Sequence, residues 1–396
     1  MRTITRSIAI TLAGLVAAAA PAGAAGPIDL GPGSYASVVV DADGTAHIAF
    51  QGDGGQVYCR LPRNAAACDV RTFLPLEGSV LLSGPHIFDR ADGALVMVVG
   101  VDELADGAAT AGMTYVRTSA DRGASWSPPV LTATGARSIG AAALAPGGRS
   151  IYTLTNDTNA LLMQNAPLVG SESRTLNIAG DPEDSPDASS LAVMPDGRAV
   201  IAEDDVGKVH WRVLDGADPY DPNAYTAPAA INGVWDAKVV TGPRGTYLFE
   251  HRPLAAQRTA GFAAPFALRS LDTKSLRWRS PKTAGADRSI FGSSDALQDA
   301  SGRLHIVAGA RGAGATSCVL YTRAGPKRRD WFGKTTVLFK TTHEPQRVKV
   351  AAAPDGRGVV TWEDGDVWVM PLRQAKGRYR PRRNQNDRPA CVGKRY

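Results

Sequence analysis

One pattern recurs along the 396-residue chain and limits its fold more than any other feature: an apolar stretch, a Pro, Asp or Ala position next to Gly, then a second apolar stretch. The copies occupy residues 37–50, 86–100, 141–154, 189–203, 237–250, 295–309 and 349–363. Their turn glycines are Gly44, Gly93, Gly148, Gly197, Gly245, Gly302 and Gly356, spaced 48 to 57 residues apart.

A D-G or G-G turn supplies the positive φ that a tight hairpin needs, and the flanking runs of Val, Ile, Ala and Leu suit strands buried on one or both faces. Each copy therefore reads as the two inner strands of a sheet. The intervals leave room for two more strands, seen as QVYCRL and DVRTFLP in the first unit and GMTYVRTS and PPVLTA in the second. Units of about 50 residues with four short strands are the mark of a β-propeller. The expected fold is all-β, a seven-bladed β-propeller of four-stranded antiparallel blades over residues 25–372, with six blades as the alternative. Residues 27–31 are placed to complete the last blade, whose own outer strand is missing.

The chain ends read differently. Arg2 and Arg6, the apolar run Ile8 to Ala20 and the small residues after Pro21 have the three-part layout of a secretory signal peptide over residues 1–24, so a secreted, extracellular protein is expected. No segment is long and apolar enough for a transmembrane helix. Residues 373–396 hold nine Lys or Arg against one Asp, so the net charge of +6 belongs to this basic tail, and the body is mildly acidic. Such a tail reads either as a solvated segment tethered through Cys391 or as one that binds an anionic cell-envelope polymer or a membrane surface, with nucleic acid disfavoured.

Four cysteines fit an oxidising compartment. Cys59 and Cys68 have a spacing suited to one hairpin, which leaves Cys318 with Cys391, although four cysteines formally allow three pairings. None has the spacing of a zinc knuckle.

Ser119, Asp121, Gly123 and Trp126, in TSADRGASWSPP, fit S/T-x-D-x-G-x-x-W, and here the sequence resembles the Asp-box (BNR) repeat of the sialidase-like propeller superfamily. The Asp121 carboxylate can take turn amides, Gly123 supplies a left-handed position and Trp126 packs back over the hairpin. The resemblance implies a structural role on the periphery, away from the ligand face. It also implies a sialidase site of three arginines, a Tyr activated by a Glu, and an Asp. The first arginine normally lies ahead of the first blade, where this chain has GPIDLGPGSYAS and no arginine. Arg60-Leu61-Pro62 has suitable letters in the wrong place and reads as turn chemistry.

Arg137, Arg288 and Arg347 each lie just upstream of an inner strand, where several blades converge on one carboxylate or sulfate. The second strands end in polar groups, among them Gln51, Asp102, Asn156, Glu203, Glu250, His251, Glu363 and Asp364, which forms an acid-rich mouth or a plain solvated rim. Paired carboxylates there suit glycoside hydrolysis, with Glu203, Glu250 and His251 as the candidate catalytic groups. Arg137, Arg288, Arg347, Asp102, Glu363 and Asp364 are the candidate ligand-binding groups. No cofactor is required, and Ca²⁺ is the metal that such a rim, or the acidic segments 181–187 and 218–223, would take. Trp211, Trp235, Trp362 and Trp368 serve either as sugar platforms or as packing between blades. Segments 101–112 and 250–266 read as the longest loops at the mouth.

No G-x-S-x-G elbow, P-loop, dinucleotide fingerprint or H-E-x-x-H helix is present. A non-catalytic propeller that binds a glycan or an extracellular protein is the leading expectation, ahead of a sialidase-like glycoside hydrolase or lyase.

Overall fold

The computed structural model describes residues 26–76, 79–81, 83–105, 108–134, 138–157, 160–167, 174–179, 188–205, 207–215, 221–227, 229–251, 266–283, 293–311, 317–324 and 336–372. They form seven antiparallel sheets arranged as a β-propeller, five with four strands and two with five. Blade 1 is Ser34–Val40, Ala46–Gly52, Gly55–Leu61 and Val70–Pro75, from the axis outward. Blades 2 to 6 follow over 79–134, 138–179, 188–232, 235–283 and 294–341. Blade 7 takes Gln346–Ala352, Gly358–Glu363 and Asp366–Leu372 from the end of the ring, and its outer strand, Ile28–Pro32, from the beginning.

The second strands read as unbroken apolar runs because both faces are covered. Ala46, His47, Ile48, Ala49 and Phe50 are all buried. The core is accordingly divided among the blade interfaces. One cluster joins blades 1 and 2 through Ala49, Tyr58, Ile87 and Met97, and another joins blades 7 and 1 through Leu30, Ile48, Val367 and Val369. Five comparable clusters fill the other interfaces. All seven turn glycines have positive φ, from 64° at Gly148 to 122° at Gly245.

Side chains near the axis stitch neighbouring blades. Ser37 Oγ accepts from the Ile87 amide at 3.2 Å, Ser83 Oγ from Ile139 at 3.2 Å, and Ser190 Oγ from Val239 at 2.8 Å. Asp295 Oδ2 accepts from Val350 at 3.0 Å, and Glu363 Oε1 from Ala36 at 3.0 Å, the last across the seam where the two ends of the ring meet.

Two faces follow from the connectivity. The turns joining the first and second strands of each blade, with those joining third and outer strands, make a turn face. The remaining connections make the mouth. Ser119 to Trp126 lies on the turn face, where Arg122 pairs with Asp41 at 3.1 Å and Asp43 at 2.9 Å on the first turn of blade 1. Asp121 accepts from Ser119 Oγ, the Ser125 amide and Ser125 Oγ, which holds its carboxyl down at about 2. Ser119 Oγ accepts in turn from the Gly123 amide at 2.7 Å, and Trp126 meets Tyr58 edge-on at 5.0 Å.

Cys59 and Cys68 form a disulfide. Cys318 is buried and is no free thiol, while Cys391 lies outside the described residues, as do the expected signal peptide and basic tail. Arg60 departs from the turn reading: it lies in the third strand of blade 1, bidentate on Asp69 through Nε to Oδ1 and Nη2 to Oδ2, each at 2.9 Å. Segment 101–112 departs from its reading as a loop. Leu95–Ala105 and Ala108–Ser119 run on as a hairpin through the polar stretch, with one register shift between Glu103 and Leu104, and Ser79–Leu81 pairs alongside it.

Gly123 has φ +83° and its missing Cβ would fall 1.8 Å from Tyr58 Oη, whereas Gly147, at φ +81°, faces open space. Gly147→Ala is expected to cost about 1–2 kcal/mol through backbone strain alone. Gly123→Ala is expected to lower the melting temperature clearly further, and equal shifts in the two variants would contradict this packing.

Candidate functional site

The mouth is built where inner strands begin and second strands end. Inner strands of blades 1, 3, 5 and 7 carry register shifts at these starts, between Ser34 and Ser37, Ile139 and Ala141, Trp235 and Lys238, and Gln346 and Lys349. Bulges re-aim side chains, and two of these hold non-glycine residues in the left-handed region, Tyr35 at φ +56° and Arg347 at φ +45°. The two meet across the seam, with the Arg347 guanidinium 3.8 Å above the centre of the Tyr35 ring.

Glu363 fixes this pair. Its Oε2 accepts from Arg347 Nη1 at 2.9 Å while its Oε1 holds the Ala36 amide. The carboxylate is only 5% exposed, against 39% for each of Arg347 and Tyr35. A buried anion thus holds an exposed cation on an exposed aromatic ring. No described residue bonds the Tyr35 hydroxyl. Asp364, next to Glu363, accepts from Thr341 Oγ1 at 2.9 Å and from the Trp368 indole, so it fastens the turn.

Two further acids of the expected ring, Glu250 and Glu203, are sequestered rather than solvated. Glu250 is fully buried and accepts from Arg269 Nε at 2.8 Å. Glu203 is also buried, 3.7 Å from Arg212 Nε, and among the described residues neither its Oε1 nor that Nε has a hydrogen-bond partner. Both arginines stand on the third strand, diagonal to the acid across the ladder, since Glu203 faces His210 and Glu250 faces Ala267. Burial pushes the Glu203 carboxyl above its ordinary value, with Arg212 and His210 pulling the other way.

Of the expected arginines, only Arg347 can be placed; Arg137 and Arg288 lie outside the described residues. His251 ends its strand, whereas Asp102 lies within Leu95–Ala105, opposite Val80; the side chains of both are outside the description. Segments 181–187 and 252–265 are outside it as well. Among the described residues, no group of three or more acids, histidines or cysteines is arranged for a metal ion. Trp211 and Trp362 are buried, Trp211 against Trp278 and Trp362 stacked on Trp368, so they pack blades; the Trp235 side chain is outside the description.

Tyr35 is the mouth residue that the reading of the sequence missed. A signal for it existed: Tyr35 and Arg347 each stand nine residues before a turn glycine, Gly44 and Gly356. Blade 2 has Gly84 at that offset, and its missing Cβ would fall within 2.0 Å of the Tyr35 Cβ. The same position is thus glycine where Tyr35 needs room.

No family model matches the chain, and no curated protein matches its sequence. Solved structures do match its shape. A point mutant of NanB sialidase from Streptococcus pneumoniae aligns at a TM-score of 0.51 and 7% identity, over 88% of this chain and 69% of that one. The β-propeller domain of Cps50 (Swd1) from Myceliophteria thermophila aligns at 0.52 and 10%, over 88% and 99%. The fold that this chain shares with both is the β-propeller. At such identities the likeness is one of architecture.

Glu203 binds its proton more tightly in the folded chain than in the unfolded one. The resulting stabilisation is full below the ordinary Glu value of 4.5 and is lost as pH rises through the raised folded value. Stability measured by urea unfolding is therefore expected to carry a falling component just above pH 4.5 that Glu203→Gln removes. An unchanged slope in the variant would contradict the assignment.

Proposed function

We propose that this chain is a secreted, non-catalytic β-propeller that binds a glycan or an extracellular protein through its mouth, with Arg347 and Tyr35 as the contact pair. The observation that carries the reading is the division of labour around Glu363, whose buried carboxylate is spent on the Ala36 amide and on orienting Arg347. Arg347 gives one N–H to Glu363 and keeps others for a planar anionic group, and Tyr35 adds an aromatic face and a hydroxyl. A glycosidase needs an acid and a second carboxylate open to substrate, whereas Glu250 and Glu363 are buried and committed to arginines.

A second reading, a glycoside hydrolase, is favoured by Glu203 alone. A buried carboxyl raised above its ordinary value has the character of a general acid. The two readings separate on a panel of fluorogenic aryl glycosides, a sialoside included, run beside a glycan array. The expected result is no release above a heat-denatured control, with array binding that Arg347→Ala or Tyr35→Ala weakens at least tenfold. Turnover that disappears in Glu203→Gln would overturn the non-catalytic reading.

A further inference from the structure

The turn face carries a groove that plays no part in the mouth. It lies between blades 6, 7 and 1, with a volume of about 700 Å³, and includes Arg63, Arg303, Arg323 and Arg357 with Asp355 as its one acid. Arg63 binds Asp355 at 2.8 Å, and Arg357 lies 3.8 Å from the same carboxylate. Among the described residues, Arg303 and Arg323 have no carboxylate partner. The groove lining therefore carries four guanidinium groups against one carboxylate, with the Asp299 carboxylate buried behind Gly356, in a body that is acidic overall.

One of these arginines is held by a chain of bonds running into the core. Asp299 Oδ2 accepts from His305 Nε2 at 2.9 Å, His305 Nδ1 accepts the Tyr321 hydroxyl at 2.8 Å, and Tyr321 Oη accepts from Arg323 Nε at 2.8 Å. Every donor in the chain is used with His305 neutral, and burial keeps its pKa below the ordinary value. His305 and Asp299 are at most 1% exposed. Arg323 is thus set in place before any ligand arrives.

Blade 1 repeats the chain with a different outcome. Asp41, His47 and Tyr58 are linked in the same order, at 3.3 and 2.7 Å. The cations around it are matched: Arg122 by Asp41 and Asp43, Arg60 by Asp69. The same scaffold therefore exists with its charge neutralised and, in the groove, with its charge left open.

We propose that this groove is a second binding site, for an acidic saccharide whose sulfate or carboxylate groups are taken by Arg303, Arg323 and Arg357. Guanidinium groups pair with such oxyanions through parallel N–H bonds. Leu61, Pro62, Val359, Pro371 and Leu372 add aliphatic surface. The lining has no aromatic residue, which argues against single-stranded nucleic acid, whose bases need stacking partners.

The test is calorimetric titration of the full chain with a heparin-derived hexasaccharide, an uncharged maltohexaose and a single-stranded oligonucleotide of equal charge. The basic segment from residue 373 onward is present in every variant, so a difference between variants reports the groove. Heparin hexasaccharide is expected to bind, to weaken at least tenfold in the double variant Arg303→Glu, Arg357→Glu, and to protect the turn at 353–357 from hydrogen exchange. Maltohexaose is expected not to bind, because it offers the groove arginines no anionic group. Both changed arginines in the double variant lie on exposed turns, and an unaltered melting temperature establishes its fold. Undiminished binding in the double variant, no binding by the native protein at low salt, or equal affinity for the oligonucleotide would overturn the proposal.

Discussion

A propeller whose core is divided among blade interfaces depends on the contact that closes the ring, and here Glu363 stands at that contact. Each cluster buries only the facing sides of two neighbouring sheets, so an open array would leave two blades with an apolar face exposed to water. Closure is made twice. Ile28–Pro32 joins the last blade as its outer strand, and Glu363 reaches from that blade to the Ala36 amide at the start of the first inner strand. The same carboxylate holds Arg347, so the bond that closes the ring also orients the exposed cation at the mouth. Fold and site share one buried charge.

Its partnering explains why a buried glutamate is tolerated there. An unpaired buried carboxylate is strongly disfavoured, whereas this one has a backbone amide on one oxygen and a guanidinium on the other. Glu250 follows the same rule with Arg269. Glu203 follows it less completely, since its arginine lies at 3.7 Å, and burial raises its proton affinity.

The architecture was legible because its physical demands are local. Hairpin turns needed glycine at positive φ, second strands needed apolar residues on both faces, and both demands repeat at a nearly constant interval. The mouth was less legible because it depends on register. Glu203 and Glu250 look like solvated strand ends until the third strand brings Arg212 and Arg269 diagonally beside them. Tyr35 lies at the opposite end of the chain from its partner Arg347, and only alignment of the repeats on their turn glycines puts the two at one offset. His47 and His305 follow Gly44 and Gly302 by three residues, in DADGTAH and DASGRLH, a spacing that could have revealed the paired networks of the turn face.

Hydrogen exchange over residues 34–38 tests most directly the central claim that Glu363 couples ring closure to the mouth. The account predicts that Glu363→Ala sharply reduces protection of this segment, which holds the Ala36 amide, while Arg347→Ala leaves it nearly native, because the carboxylate still accepts from that amide. Equal protection in the native protein and in Glu363→Ala, or equal loss in both variants, would contradict it.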